Sequence, residues 1–188
     1  TKLVVLTNPN NPTGSILRPA IRQQIIERVK EVGAWLIADE VYRGAEVNGE
    51  ETPSFYGQLE KAVIVGGLSK AYGLPGLRLG WLAGPEELVK KIWTYHDYTT
   101  ISVSALTDYL ATRALEPGRR LQLLNRTRKI IKTNLPILEK WLQSFDGLFS
   151  YQPPQAGAIL FTAYNSEVNS TRLVEKLLKE KNVLLVPG

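Results

Sequence analysis

Short aliphatic runs alternate along the chain with longer segments in which apolar residues recur every three or four positions. In residues 17–32 this spacing places Ile21, Ile25, Val29 and Val32 on one helix face, and Gly33 follows the segment. The aliphatic runs short enough to be buried strands are Leu3–Thr7, Trp35–Ala38, Ala62–Val65 and Leu79–Ala83. Because these strands are apolar throughout and alternate with helices, the pattern predicts an α/β fold, a three-layer and mostly parallel sheet with helices on both faces.

The second half of the chain has a different order of elements. Apolar spacing predicts helices over about 85–96 and 104–115 and a longer one over 119–145. Strands near 148–151, 158–163 and 183–186 are then expected around a helix at 171–181. This last group predicts a small α+β unit that begins within the long helix.

Composition excludes several kinds of chemistry. The 188 residues include no cysteine and one histidine, which excludes disulfides, thiolate metal sites, cysteine nucleophiles and multi-histidine metal sites. The same count disfavours a Ser-His-Asp triad. Hydrophobic residues are 44% of the chain, yet no apolar run approaches the ~20 residues of a membrane span. The chain starts at Thr1 and stops just after a hydrophobic run, so we expect a fragment of a longer protein.

The positive charge is concentrated in one segment. The net charge is +5, and residues 113–140 hold eight basic and two acidic side chains. A nucleic-acid surface is one interpretation, but no aromatic residues interleave the basic ones as a base-stacking platform requires. The pattern therefore favours a solvated helix face.

Polar residues suited to catalysis follow three of the four early strands. These are the turn-rich stretch Asn8 to Gly14, the stretch Asp39 to Tyr42, and Ser69 with Lys70. In an open parallel sheet, ligands bind beyond the carboxyl ends of the strands. If the strands are parallel, all three loops open on one edge, where we expect a binding site.

Each candidate also has a simpler interpretation. Lys70 near desolvating surroundings could act as an amine nucleophile toward carbonyls, or could be a surface lysine. Asp39 could be a partly buried functional carboxylate or a turn residue, and Tyr42 could face the site or the core. Arg78, in a Pro-Gly turn, suits a phosphate by its forked guanidinium, but it could instead form a structural ion pair.

Taken together, three segments carry a resemblance to a known family. They are Asn-Pro-Asn-Asn-Pro-Thr-Gly at 8–14, Asp-Glu-Val-Tyr at 39–42, and Ser-Lys-Ala-Tyr-Gly-Leu-Pro-Gly-Leu-Arg-Leu-Gly-Trp at 69–81. In this order they strongly resemble the class I/II aminotransferases, fold type I enzymes that use pyridoxal 5'-phosphate. The resemblance covers essentially the whole chain. It implies that residues 1–125 belong to the large cofactor-binding domain and residues 126–188 to the small C-terminal domain.

The resemblance implies a role for each matching residue. Lys70 would hold the cofactor as a Schiff base and later move a proton, and Asp39 would pair with the pyridinium nitrogen. Asn11 and Tyr42 would hydrogen-bond the ring oxygen of the cofactor, and Asn11 would also lie at the substrate.

Three further residues would contact the cofactor. Val41 would pack on a ring face, while Ser69 and Arg78 would hold the phosphate. One departure is Gly67, because many relatives carry a hydroxyl residue three positions before the lysine. No metal is implied.

The activity implied is transfer of an amino group between an amino acid and a 2-oxo acid by a cytoplasmic homodimer that does not bind nucleic acid or membranes. The same lysine and aspartate also serve carbon–sulfur lyases, decarboxylases and cyclising synthases. The three segments are also compatible with the aminotransferase-like sensing domain of a transcription regulator and with an inactive module. The arginine expected to bind the substrate carboxylate lies beyond Gly188 in relatives, so the substrate does not follow from these residues.

Overall fold

A four-stranded sheet in the order β1-β2-β3-β4 forms the centre of the structure, a computed structural model that describes all 188 residues. The strands are Leu3–Thr7 (β1), Trp35–Asp39 (β2), Ala62–Gly67 (β3) and Gly80–Ala83 (β4). The first three run parallel, and β4 pairs antiparallel with β3. The mostly parallel sheet predicted from the apolar runs is confirmed.

Five helices accompany the sheet. They are Pro19–Glu31 (α1), Glu86–His96 (α2), Ala105–Leu115 (α3), Pro117–Gln143 (α4) and Ser170–Lys181 (α5), and a short 3-10 turn lies at Pro75–Leu77. Two of these helices begin with a capping side chain. Ser104 accepts the Thr107 N–H at the start of α3, and Asn169 accepts the Thr171 N–H at the start of α5. None of the helices is both long and apolar enough to cross a bilayer.

One face of the sheet packs against α1. Leu36 and Ala38 of β2 and Ala62 and Ile64 of β3 form a buried cluster with Ile26, Val29 and Phe55. Full burial of a large aliphatic side chain contributes about 1.5–3 kcal/mol, so this cluster fixes α1 on the sheet.

The opposite face is open at its β1 end. Val5, Ile37 and Val63 lie in register on this face, and Val5 is 67% exposed while Leu3 is 49% exposed. The helix layer predicted for both faces is therefore not found over β1. The helices α3 and α4 instead pack against loops beyond the carboxyl edge of the sheet.

A second core lies at that carboxyl edge. Ala45 and Tyr72, from the loops after β2 and β3, are buried together with Ala111 of α3 and with Leu124 and Ile131 of α4. The helices α3 and α4 thus support the loops that carry the candidate site residues.

The C-terminal unit is smaller than the sequence predicted. Phe149–Tyr151 (β5) pairs antiparallel with Thr162–Tyr164 (β6), so the strand expected at 158–163 forms only near its end. The strand expected at 183–186 is not formed, and Val186 is 92% exposed. Aliphatic residues alone predicted that strand, but no neighbouring strand of this chain pairs with it.

The basic segment 113–140 is only partly a solvated helix face. Arg120 forms an ion pair with Glu51, and Arg126 donates to the carbonyls of Tyr72 and Gly73. The Arg128 side chain is 8% exposed and lies 3.8 Å from a Glu46 oxygen. The interpretation as a wholly solvated face is wrong for these three arginines, because partners far away in the sequence reach them.

We expect Glu51 to stabilise the fold at neutral pH and to lose this effect in acid. Arg120 donates to both of its carboxylate oxygens, and this bonding holds the pKa of Glu51 below its usual value although burial acts in the opposite direction. A lowered folded-state pKa stabilises the protein above the unfolded-state pKa, and the gain is lost as pH falls through the folded-state value.

Urea unfolding of the whole protein measures this effect. At pH 7, Glu51→Gln should be less stable than the parent by about 1 kcal/mol, a small value because solvent screens the pair. The difference should be smaller at about pH 3, below the ordinary glutamate pKa of about 4.3, than at pH 7. Glu50→Gln, which alters an exposed neighbour, serves as the control. An equal difference at both pH values would contradict an electrostatic origin.

Candidate active site

Three loops meet at the carboxyl edge of the sheet. Thr7 of β1 is in register with Asp39 of β2, and Asp39 is in register with Val65 of β3. The Asn8 N–H donates to the Asp39 carbonyl at 3.0 Å, and the Glu40 N–H donates to the Val65 carbonyl at 2.8 Å. These bonds extend the parallel ladder past the strand ends, so the loops after β1, β2 and β3 lie side by side.

Asp39 and Tyr42 lie at the end of β2. One Asp39 oxygen, Oδ1, accepts the Val41 N–H at 3.1 Å, which is the contact of a turn aspartate, while Oδ2 makes no hydrogen bond within the chain. Tyr42 is 7% exposed. Burial raises the pKa of its phenol, and the negative charge of Asp39 raises it further. The phenol is therefore protonated at neutral pH and can donate a hydrogen bond.

Lys70 lies three residues after the end of β3, behind Leu68 and Ser69. Its side chain is exposed, so the desolvating surroundings expected from the sequence are not found in this chain. The amine lies 6.0 Å from the centre of the Tyr42 ring and has no acidic partner. A tight turn follows, in which the Gly73 N–H donates to the Lys70 carbonyl at 3.0 Å. The amine is thus accessible, and its backbone is held in a turn.

Arg78 ends the 3-10 turn in an unusual backbone conformation. Its φ is 50° and its ψ is 38°, in the left-handed region where a non-glycine residue is strained. One guanidinium nitrogen donates to the Pro75 carbonyl at 2.9 Å, and no carboxylate lies within ion-pair distance. A structural ion pair at Arg78 therefore has no partner, and most of the guanidinium is free for a ligand.

The other predicted site residues occupy the same edge without strong contacts of their own. Asn11 is exposed in the loop after β1, and Ser69 is half-buried before Lys70. Val41 is half-buried, and its carbonyl accepts the Ala71 N–H at 3.5 Å. Apart from the Val41–Asp39 bond, no hydrogen bond joins two of the seven predicted site residues. Their amine, guanidinium and carboxylate groups are therefore not neutralised by one another.

Two structural contributors to this edge were missed by sequence reasoning. Asn8 is 3% exposed, and its side-chain oxygen accepts the Leu17 N–H, which fixes the loop after β1. The Gly14 carbonyl accepts the N–H groups of Gln155 and Ala156, so a distant segment closes the same loop. The sequence Gln-Pro-Pro-Gln at 152–155 predicts a turn, but it does not indicate that this turn binds the loop after β1.

The segment after Gln155 also supports Tyr42. The Gly157 N–H donates to the Ala45 carbonyl at 3.1 Å, and Gly157 has a φ of +78°. A Cβ at this position would lie 3.0 Å from the Tyr42 ring. Only a residue without a side chain therefore fits comfortably against this face of Tyr42.

Comparison with known proteins gives a consistent result. The family model described as aminotransferase class I and II matches residues 1–188. The chain is 32% identical over 188 residues to a capreomycidine synthase of Streptomyces vinaceus and 28% identical over 191 residues to an aromatic-amino-acid aminotransferase 2 of Thermococcus litoralis. It also superimposes on a PLP-dependent aminotransferase from Streptococcus suis with a TM-score of 0.90 and 34% identity.

These matches cover the whole of this chain but only half of the other proteins. The chain spans 48% of the synthase, 49% of the Thermococcus enzyme and 49% of the Streptococcus structure. The chain therefore spans about half the length of these relatives.

Proposed function

Since the chain belongs to the class I and II aminotransferase family, whose members depend on pyridoxal phosphate, we propose that the whole protein transfers an amino group between an amino acid and a 2-oxo acid. One observation carries the proposal. A primary amine without an acidic partner at Lys70, a carboxylate oxygen without a partner at Asp39 and a guanidinium without a carboxylate partner at Arg78 all lie at one edge of the sheet.

The residues present fit pyridoxal phosphate by their chemistry. An unpaired guanidinium with a hydroxyl nearby suits a phosphate, as Arg78 and Ser69 provide. The free Oδ2 of Asp39 suits a protonated ring nitrogen, and the Lys70 amine suits an aldehyde. When bound, pyridoxal phosphate supplies an electron-withdrawing ring that stabilises negative charge at the Cα of the substrate.

Each side chain then has a defined task. Lys70 Nζ would hold the cofactor covalently, and its amine would accept and return the proton of the substrate Cα. Asp39 would keep the ring nitrogen protonated. The phenol of Tyr42, kept protonated by burial, would donate a hydrogen bond to the ring oxygen of the cofactor, and the Asn11 amide would be a second donor. Val41 would limit access to one side of the ring.

The phosphate contact depends strongly on Arg78, because position 67 lacks a hydroxyl. A Cβ added to Gly67 would lie 3.3 Å from the Leu79 carbonyl oxygen, so a side chain there would be crowded. We expect Arg78→Ala to weaken pyridoxal phosphate affinity by roughly ten- to a hundredfold, the usual contribution of a charge-assisted hydrogen bond. Arg78→Lys should give an intermediate loss, because it keeps the charge but not the forked geometry.

Titrating the whole apo-protein with pyridoxal phosphate measures this loss. Arg28→Ala, at an exposed arginine near the C-terminal end of α1, serves as the control. Unchanged affinity in folded Arg78→Ala would show that the phosphate is held elsewhere.

The proposed activity is tested in two steps. Borohydride reduction of the whole protein with pyridoxal phosphate, followed by peptide mapping, should modify Lys70. Amino acids should then be screened as donors with several 2-oxo acid acceptors, and the new amino acid should be quantified. Modification of Lys70 without any amino-group transfer would overturn the transferase proposal but keep the cofactor assignment.

A cyclising synthase is the second candidate, supported by the 32% identity to a capreomycidine synthase, a cyclase. The same Lys70 and Asp39 serve both reactions, so the products distinguish them. A synthase would release a rearranged amino acid without consuming a 2-oxo acid acceptor. A transferase would consume donor and acceptor in equal amounts.

We also propose a homodimer and the two-domain division at about residue 125. Large apolar side chains around the end of α2 and the start of α3 are exposed, among them Trp93 (63%), Tyr98 (88%) and Leu106 (68%). Exposed patches of this kind favour a protein interface. Sedimentation of the whole protein would show whether this surface pairs two copies.

A further inference from the structure

We propose that Arg120 of α4 is a positioning residue for Lys70, because one guanidinium ties the loop that carries Tyr42 to the loop that carries Lys70. The inference rests on the proposed function, in which these two loops hold one cofactor. Arg120 contacts none of the seven predicted site residues, so it acts through the loops alone.

The guanidinium of Arg120 uses its three nitrogens on two different loops. Nη1 and Nη2 donate to the two carboxylate oxygens of Glu51, each at 2.7 Å, and Nε donates to the Tyr72 hydroxyl at 3.1 Å. Glu51 belongs to the loop after β2, and Tyr72 follows Lys70 by two residues. The side chains of Arg120 and Glu51 are 29% and 23% exposed, so solvent screens the pair only in part. A planar fork holds both partners in a fixed orientation.

The loop after Lys70 is held at several other points. Tyr72 is 6% exposed, and its carbonyl accepts an N–H of Arg126 at 3.0 Å. The Ala71 N–H donates to the Val41 carbonyl at the longer distance of 3.5 Å. Both ends of Tyr72, its hydroxyl and its carbonyl, are therefore bound by α4. Since the Lys70 side chain is flexible and exposed, the position of this backbone decides where its amine can reach.

The loop after β2 rests on the same helix face. Arg120, Leu124 and Arg128 are spaced four residues apart, and Leu124 lies between the two arginines against Gly44. Arg128 faces the fully buried Glu46 at 3.8 Å, but its Nε and Nη2 have no hydrogen-bond partner. Glu46 is bound mainly by the Gly44 and Thr52 N–H groups. Of the two arginines, Arg120 has the better geometry, and it alone also reaches the Lys70 loop.

Hydrogen exchange of the whole protein, without added cofactor, tests the link directly. Tyr72→Phe removes the hydroxyl that accepts from Arg120. Amide exchange in residues 68–79 should become roughly three- to tenfold faster, because one hydrogen bond stabilises the closed state by about that factor. Arg120→Gln should speed exchange in residues 40–52 as well. Arg119→Gln, at the exposed neighbour on α4, should leave both peptides unchanged. If Arg120→Gln fails to fold, the exchange rates of Tyr72→Phe alone test the link.

A second measurement separates positioning from a purely structural role. The pH titration of the bound cofactor's absorbance reports on Lys70, and its midpoint should move in Tyr72→Phe and Arg120→Gln but not in Arg119→Gln. Arg120→Lys should restore the midpoint in part. Parent-like exchange in residues 68–79 of both variants, or faster exchange with an unmoved midpoint, would overturn the inference. Absence of borohydride labelling at Lys70 in the parent would instead refute the proposed function.

Discussion

Lys70→Ala in the whole protein is expected to abolish both covalent cofactor capture and amino-group transfer. The amine of Lys70 is exposed and has no acidic partner, so it is available to an aldehyde. The only other lysine in the loops after these three strands is Lys61, which lies at the far end of the loop after β2, directly before β3. Loss of a positioned proton-transfer group alone lowers a rate by about 10²–10⁴-fold, and the covalent bond is lost in addition.

Two measurements test this prediction for Lys70→Ala. Borohydride trapping with peptide mapping should find no modified lysine in Lys70→Ala, and the transfer rate should fall to background. Lys91→Ala, at an exposed lysine of α2, should behave like the parent in both assays. Efficient trapping of a different lysine in parent protein would show that Lys70 is a surface residue.

Asp39→Ala is expected to slow proton abstraction from the amino acid by about a hundredfold or more, with a smaller loss of cofactor affinity. The upper range for a hydrogen bond to a charged group corresponds to this factor. Affinity should fall less, because the phosphate contact proposed for Arg78 does not involve Asp39. The half-reaction rate with amino acid at saturating cofactor, measured beside cofactor affinity, separates the two effects.

Asp39→Asn distinguishes the electrostatic role from the turn role. The asparagine oxygen can still accept the Val41 N–H, so the turn after β2 should remain. The negative charge that would hold a ring nitrogen protonated is lost. We therefore expect Asp39→Asn to be nearly as slow as Asp39→Ala. A near-normal rate in Asp39→Asn would mean that Asp39 is only a turn residue.

The elements and the edge that carries Lys70 were predictable because their signals are local. An aliphatic run such as Ala62–Val65 followed by glycines predicts a buried strand end, and the parallel order then brings Asp39 and Lys70 to one edge. The same kind of local signal failed at 183–186, where aliphatic residues find no pairing strand. A strand depends on a partner as well as on its own residues.

The contacts of α4 could not be predicted from the sequence. A basic helix segment gives the same pattern whether its arginines face solvent or reach acidic loops, and Arg120 and Glu51 are 69 residues apart. Likewise, Gly157 fits against Tyr42 only because the chain folds back across more than a hundred residues. The residue types can be read from the sequence, whereas tertiary packing determines which groups they contact.

The left-handed conformation of Arg78 sets stability against the phosphate contact proposed for this residue. An L-residue in this region costs roughly 1–2 kcal/mol, a cost that glycine avoids. Selection for thermal stability alone would therefore favour Arg78→Gly, although this change removes the guanidinium. If the proposed role of Arg78 holds, directed evolution of the whole protein for heat resistance needs a cofactor-dependent screen, because selection for stability alone would favour variants that have lost this guanidinium.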